Sequence, residues 1–218
     1  MANPTTSSIR APQTGDAAVD VAVSGYKWNL GTDRTIDWSL SSGVLGEVWA
    51  NQPAMLTSVA QALAAIAAFI DVKFNYVGTY STPTAAATAG SEINVAPTRD
   101  RTLASASVLG FSFYPREADG LRAGDVSVNL NSIAGEYTSF EPGTSGFQLL
   151  LHEFGHSLGL KHPFENDGAG RTAIEDTRFA NRDADWFSVM SYNDPYQSNR
   201  EKFEPSTPCL LYTSPSPR

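Results

Sequence analysis

Cysteine is almost missing from this chain. Cys209 is the single copy in 218 residues, so no internal disulfide can close and no pair of thiolates can hold a structural metal. Basic residues are also short: 15 Lys and Arg face 23 Asp and Glu, a formal charge of -8 with a pI near 4.8. Phosphate backbones are gripped by clustered basic side chains, so this balance argues against nucleic acid as a partner. Long apolar runs are lacking too. The Ala-rich stretch after Pro53 is interrupted by Thr57, Ser58 and Gln61 and keeps an amphipathic period, which speaks against a membrane span. Met1 to Asp16 is polar and carries no apolar core of a signal peptide. Glycine- and aspartate-rich nonapeptide repeats are absent. What remains is an ordinary globular composition, 41% hydrophobic and 17% charged, long enough for one domain with its own core.

Histidine is as rare as basic charge, and its placement is informative. All three histidines fall in Leu149-Leu150-Leu151-His152-Glu153-Phe154-Gly155-His156-Ser157-Leu158-Gly159-Leu160-Lys161-His162-Pro163. With 3.6 residues per turn, His152 and His156 share one side of a helix and can grip one metal ion. Glu153 beside them is the carboxylate that such a spacing uses as general base toward water. His162 cannot follow on the same helix, since six further residues rotate it roughly 240° away from His156. The helix must therefore stop, and Gly159 stands where a left-handed residue would end it and return His162 toward the ion. Ser145 and Gln148 fit a capping box, while Phe147, Leu150, Leu151, Phe154 and Leu158 form a packing stripe roughly opposite the histidines.

The pattern H-E-x-x-H-x-x-G-x-x-H, with the later Ser188-Val189-Met190-Ser191-Tyr192, resembles the metzincin metalloproteases. Pro163 after the third histidine and the tyrosine after the methionine make the likeness closest to the serralysin family of secreted bacterial proteases. It is strongest from Ser145 to Tyr192 and reaches back more weakly to Gly25. The resemblance implies an α+β fold: a twisted, mixed five-stranded sheet with an antiparallel edge strand, packed on two long helices, with a cleft across the active-site helix. It implies one catalytic zinc on His152, His156 and His162, Glu153 as base, and Met190 as an apolar floor that does not ligate. Tyr192 would stabilise the oxyanion. Calcium is implied only if a repeat domain follows in a longer protein.

Along the chain, residues 1–22 read as a flexible arm or short propeptide, 23–208 as the catalytic domain with an incomplete end, and 209–218 as an atypical, possibly foreign tail. Ile36 to Leu40 alternates as a first strand, and Asn51-Gln52-Pro53 opens a helix carrying Leu56, Val59, Leu63, Ile66 and Ile70. Val72, Phe74 and Tyr76 then give a second strand, parallel to the first. Ser81 to Ser91 reads as a small-residue loop. Ile93 and Val95 mark a third strand, Ser107 to Tyr114 a fourth stopped by Pro115, and Val126, Val128 and Leu130 a fifth. The fourth would be the edge, offering Val108, Leu109, Gly110 and Phe111 to an extended peptide. The scattered carboxylates Asp167, Glu175, Asp176 and Asp183 are solvated side chains rather than a calcium site.

These readings combine into an expectation. The chain is a zinc endopeptidase acting on proteins or peptides, monomeric, secreted without an N-terminal signal, and bound to neither nucleic acid nor membrane. The competing reading is a zinc-stabilised binding module without turnover, or an inactive truncated remnant. Retention of Glu153 speaks against the rival, because a purely structural site has no use for a base and would close its fourth position.

Overall fold

The computed structural model describes residues 3–4, 13–99, 108–131, 139–166, 173–174 and 188–192. Its elements run β1 (Asn3–Pro4), α1 (Ala17–Asp20), β2 (Trp28–Asn29), β3 (Thr35–Ser41), α2 (Gln52–Ala67), β4 (Lys73–Tyr80), α3 (Pro83–Thr88), β5 (Ile93–Thr98), β6 (Gly110–Ser112), β7 (Val126–Asn129) and α4 (Ser145–Ser157). A short 3-10 stretch, Glu117–Arg122, precedes β7 and is interrupted at Gly120. Two compact units result: Met1–Ala11 with Gly25–Gly159, and Pro12–Ser24 with Leu160–Arg218.

The first unit is built on a five-stranded sheet in the order β4-β3-β5-β7-β6. β3 runs parallel to β4 and to β5, β5 runs parallel to β7, and β6 alone is antiparallel, as the edge partner of β7. This is the mixed α+β sheet with an antiparallel edge that the sequence led one to expect. The central strands are sealed, with Ile36, Trp38, Leu40, Ile93, Val95, Val126 and Val128 all buried. Such continuous apolar strands are what a parallel sheet covered on its faces requires. The crossover from β3 to the parallel β4 is α2, whose Asn51 side chain caps the Ala54 amide and whose Pro53 stands in the first turn. Val59, Leu63 and Ile66 are buried as their spacing implies, Leu56 is half-buried, and Ile70 lies exposed beyond the helix end. α2 packs against α4 and β4, and α4 packs also against β6 and β7.

Three expectations need correction. Residues 81–91 are not simply a loop, because Thr82 caps the Ala85 amide, Pro83 opens the first turn, and α3 follows with Ala86 fully buried. The edge strand is shorter than the run from Ser107 to Tyr114 read as a strand: pairing to β7 spans Gly110, Phe111 and Ser112. Val108 and Leu109 precede the strand, although their carbonyls still accept hydrogen bonds from the Asn129 side chain and amide. Finally, the cap of α4 is Thr144, whose hydroxyl accepts from the Phe147 amide, so Ser145 is already the first helical residue.

In the second unit an isolated antiparallel bridge joins Val23 to Leu160, and the Lys161 amide donates to the Ala22 carbonyl. Of the arm read as residues 1–22, positions 13–22 include α1 and the buried Val21 and Asp20, whose carboxylate accepts from the Thr14 and Gly15 amides. The carboxylates Asp167, Glu175, Asp176 and Asp183, and the tail 209–218, lie outside the described residues.

Candidate active site

α4 carries the first two histidines and the glutamate. It is buried on every side rather than on one stripe: from Leu149 to Ser157 each residue is buried, His152, Glu153 and His156 included. The imidazoles of His152 and His156 meet edge to face with ring centroids 4.9 Å apart, the neighbourhood that an i, i+4 pair enforces. Tyr114 packs edge-on against His156 at 5.7 Å and is itself stacked on Tyr26. The C-terminal end of α4 is held from outside, since the Trp28 indole N–H donates to the Ser157 carbonyl at 2.8 Å, one of the carbonyls that a helix end leaves without an internal partner.

Glu153 is the unusual group. Among the described residues its buried Oε2 has no hydrogen-bond partner, and burial pushes the carboxyl up to about 8. A carboxylate held out of water without donors is costly unless a cation stands near it. Gly110 of β6 lies directly against it: a Cβ at this position would come 2.9 Å from Glu153 Oε1 and 3.0 Å from the Ser127 carbonyl. The edge strand therefore touches the carboxyl through a residue with no side chain.

Gly159 ends the helix as its position suggested, with φ +100, and a side chain there would strike the Tyr26 carbonyl at 2.2 Å. After it come Lys161 and His162, both buried. Phe164 stacks parallel on the His162 ring at 5.0 Å, and Tyr192 lies tilted against the same ring at 4.4 Å. Glu165 Oε1 stands 2.7 Å from His162 Nδ1. Met190 is fully buried in a turn closed by the Ser191 amide on the Ser188 carbonyl. Tyr192, two residues on, is 66% exposed.

His152 and His156 stand on α4 as the first two donors of the motif, and His162 follows in the second unit as the third. Three neutral imidazoles are a donor set for a borderline-soft divalent cation such as zinc, and they leave a coordination position for solvent or substrate. The buried, partnerless oxygen of Glu153 supports the same fit, because a dication nearby would favour its charged form. Glu165 was not singled out from sequence. Its signal is the i, i+3 spacing from a histidine across a proline, which has meaning only once the turn is known.

Comparison with known proteins points the same way. The family model described as metallo-peptidase family M12B reprolysin-like matches residues 118–215. Metalloprotease AprA of Pseudomonas entomophila (strain L48) is 37% identical over 90 residues, covering 41% of this chain and 18% of that protein. Serralysin C of Dickeya chrysanthemi is 36% identical over 89 residues, covering 40% of this chain and 15% of that protein. The chain thus spans less than a fifth of the length of these relatives. With the histidine motif, these matches support a metzincin-like metalloprotease domain in this chain.

Proposed function

We propose that the chain is a serralysin-like zinc endopeptidase, in which His152, His156 and His162 hold the metal and Glu153 is the general base. The observation that carries this reading is the pair of imidazoles set edge to face on α4, with a buried carboxyl on the same helix whose Oε2 has no hydrogen-bond partner among the described residues. When bound, zinc supplies Lewis acidity toward a carbonyl and toward water. Glu153 takes the proton released as water attacks the peptide carbonyl and passes it to the leaving amine. Tyr192, exposed and tilted against His162, donates its hydroxyl proton in a hydrogen bond to the oxyanion. Met190 fills the apolar space of its turn and orders the residues around Tyr192.

The substrate is an extended stretch of protein. β6 is the edge of the sheet, and Gly110 and Phe111, with Val108 and Leu109 ahead of them, supply the backbone against which a peptide pairs as an added strand. The enzyme acts outside the cell as a monomer, and among the described residues no helix is long and apolar enough to cross a membrane. Calcium enters only through a repeat domain, where a longer protein carries one.

The replacement E153Q keeps the size of the side chain and removes the base. Purified E153Q is expected to retain one zinc per chain and to lose casein cleavage by at least about 10²-fold, the lower end of what a positioned base contributes. Cleavage of casein by E153Q at the parent's rate would remove Glu153 from the mechanism. Zinc-loaded parent that left every unstructured protein intact would mark a non-catalytic, zinc-stabilised module instead.

A further inference from the structure

We infer that Glu165 is the positioning residue that fixes the ring of His162 and selects which of its nitrogens faces the metal, an assignment that rests on the zinc reading above. His152 and His156 have their directions set by one helix. His162 has no such frame, since the chain left the helix at Gly159, so something else must orient it.

The four residues His162-Pro163-Phe164-Glu165 supply that frame. The Glu165 amide donates to the His162 carbonyl at 3.1 Å, closing a β-turn with proline at its second position, where a fixed φ favours the bend. This closure folds the Glu165 side chain back over the start of the turn, and its Oε1 meets His162 Nδ1 at 2.7 Å. An ionised carboxylate only accepts, so this pairing assigns the proton to Nδ1 and leaves Nε2 as the nitrogen for the metal. Phe164 lies flat on the ring, its plane within 3° of parallel, and blocks rotation from one face. The turn is clamped from below by Lys161, which is 1% exposed and donates from Nζ to the Glu165 carbonyl at 2.6 Å and to the His162 carbonyl at 3.4 Å. The Ile174 amide holds the Pro163 carbonyl at 2.8 Å from outside. A carboxylate on the outer nitrogen of a metal-binding imidazole sets its tautomer and raises its basicity, an effect worth 10- to 100-fold in affinity.

The test uses the 218-residue chain with zinc as the probe, competed by a chelator of known strength, and nitrogen-15 imidazole shifts of the metal-free protein. Parent protein is expected to show His162 protonated at Nδ1. E165A should show a mixture with the Nε2-protonated form and hold zinc about 10- to 100-fold more weakly. E165Q, whose amide oxygen still accepts from Nδ1–H, should keep the tautomer and lose less affinity. Equal zinc affinity in parent and E165A, or an Nε2-protonated His162 in the parent, would overturn the assignment. A parent that takes up no zinc would overturn the metalloprotease reading, and the tautomer would still decide the role of Glu165.

Discussion

Gly110 makes its contribution by having no side chain. The Glu153 carboxyl occupies the space where a Cβ at 110 would sit, 2.9 Å from Oε1, and the Ser127 carbonyl closes that space from the strand side. Backbone in a paired strand cannot retreat, whereas a carboxyl on a side chain with three rotatable bonds can. G110A should therefore displace the carboxyl rather than unfold the sheet. The expected result is a fall in kcat of about 10²-fold, the usual effect of moving a catalytic group by about an ångström, with zinc content retained and the melting temperature within a few degrees of the parent. Unchanged kcat would show that the glycine does not set the position of Glu153. No periodicity argument could have exposed this contact, because it joins residues 43 positions apart on a strand and a helix. The histidine spacing, by contrast, was readable because it is local geometry within one helix. Glu165 falls between these cases: it is near in sequence, but its role appears only once the turn has brought it back to His162.

At the scale of the element, α4 separates what local sequence dictates from what tertiary structure adds. Its existence, its end at Gly159 and the burial of Phe147, Leu150, Leu151 and Phe154 follow from spacing and a left-handed glycine. Its start was misplaced by one residue, because Ser145 and Thr144 are equally good caps by type and only backbone geometry separates them. Thr144 has extended dihedrals, φ -104 and ψ 160, and its hydroxyl reaches the Phe147 amide. T144A should cost about 1 kcal/mol, whereas S145A should lie within about 0.5 kcal/mol of the parent, both read from denaturant unfolding. Equal losses would restore Ser145 as the cap. The burial of α4 on all sides was not legible either, since the spacing gave one packing stripe and assigned the face of the histidines to a metal without saying what covers it. α3 escaped notice for the opposite reason: Pro83–Thr88 holds alanines and threonines with no apolar period, so only Thr82-Pro83 marks its start. The edge strand was read too long because the run from Ser107 to Tyr114 says nothing about how far its partner extends, and β7 offers four residues.

For the molecule as a whole, the response of stability to pH separates a second buried carboxyl from that of Glu153. Asp125 precedes β7 and is buried; loss of hydration raises its carboxyl to about 8, against the opposing pull of the Asn94 amide and the Arg122 charge. In the unfolded chain the same group titrates at its ordinary value of 3.8. Between these two values the folded protein holds a proton that the unfolded chain has lost, so rising pH favours unfolding. Stability from this group is complete below pH 4, declines by up to about 1.4 kcal/mol per pH unit above it, and levels off beyond pH 8. D125N keeps an oxygen for the Asn94 amide and cannot ionise, so the difference in unfolding free energy between D125N and the parent should grow in its favour from pH 5 to pH 8. The buried carboxyl of Glu153 contributes a slope of the same sign in metal-free protein, and it is common to both chains, so it cancels in that difference. A D125N variant whose advantage stayed flat across this range would mean that Asp125 is already charged in the folded sheet, held there by Arg122 rather than neutralised by burial.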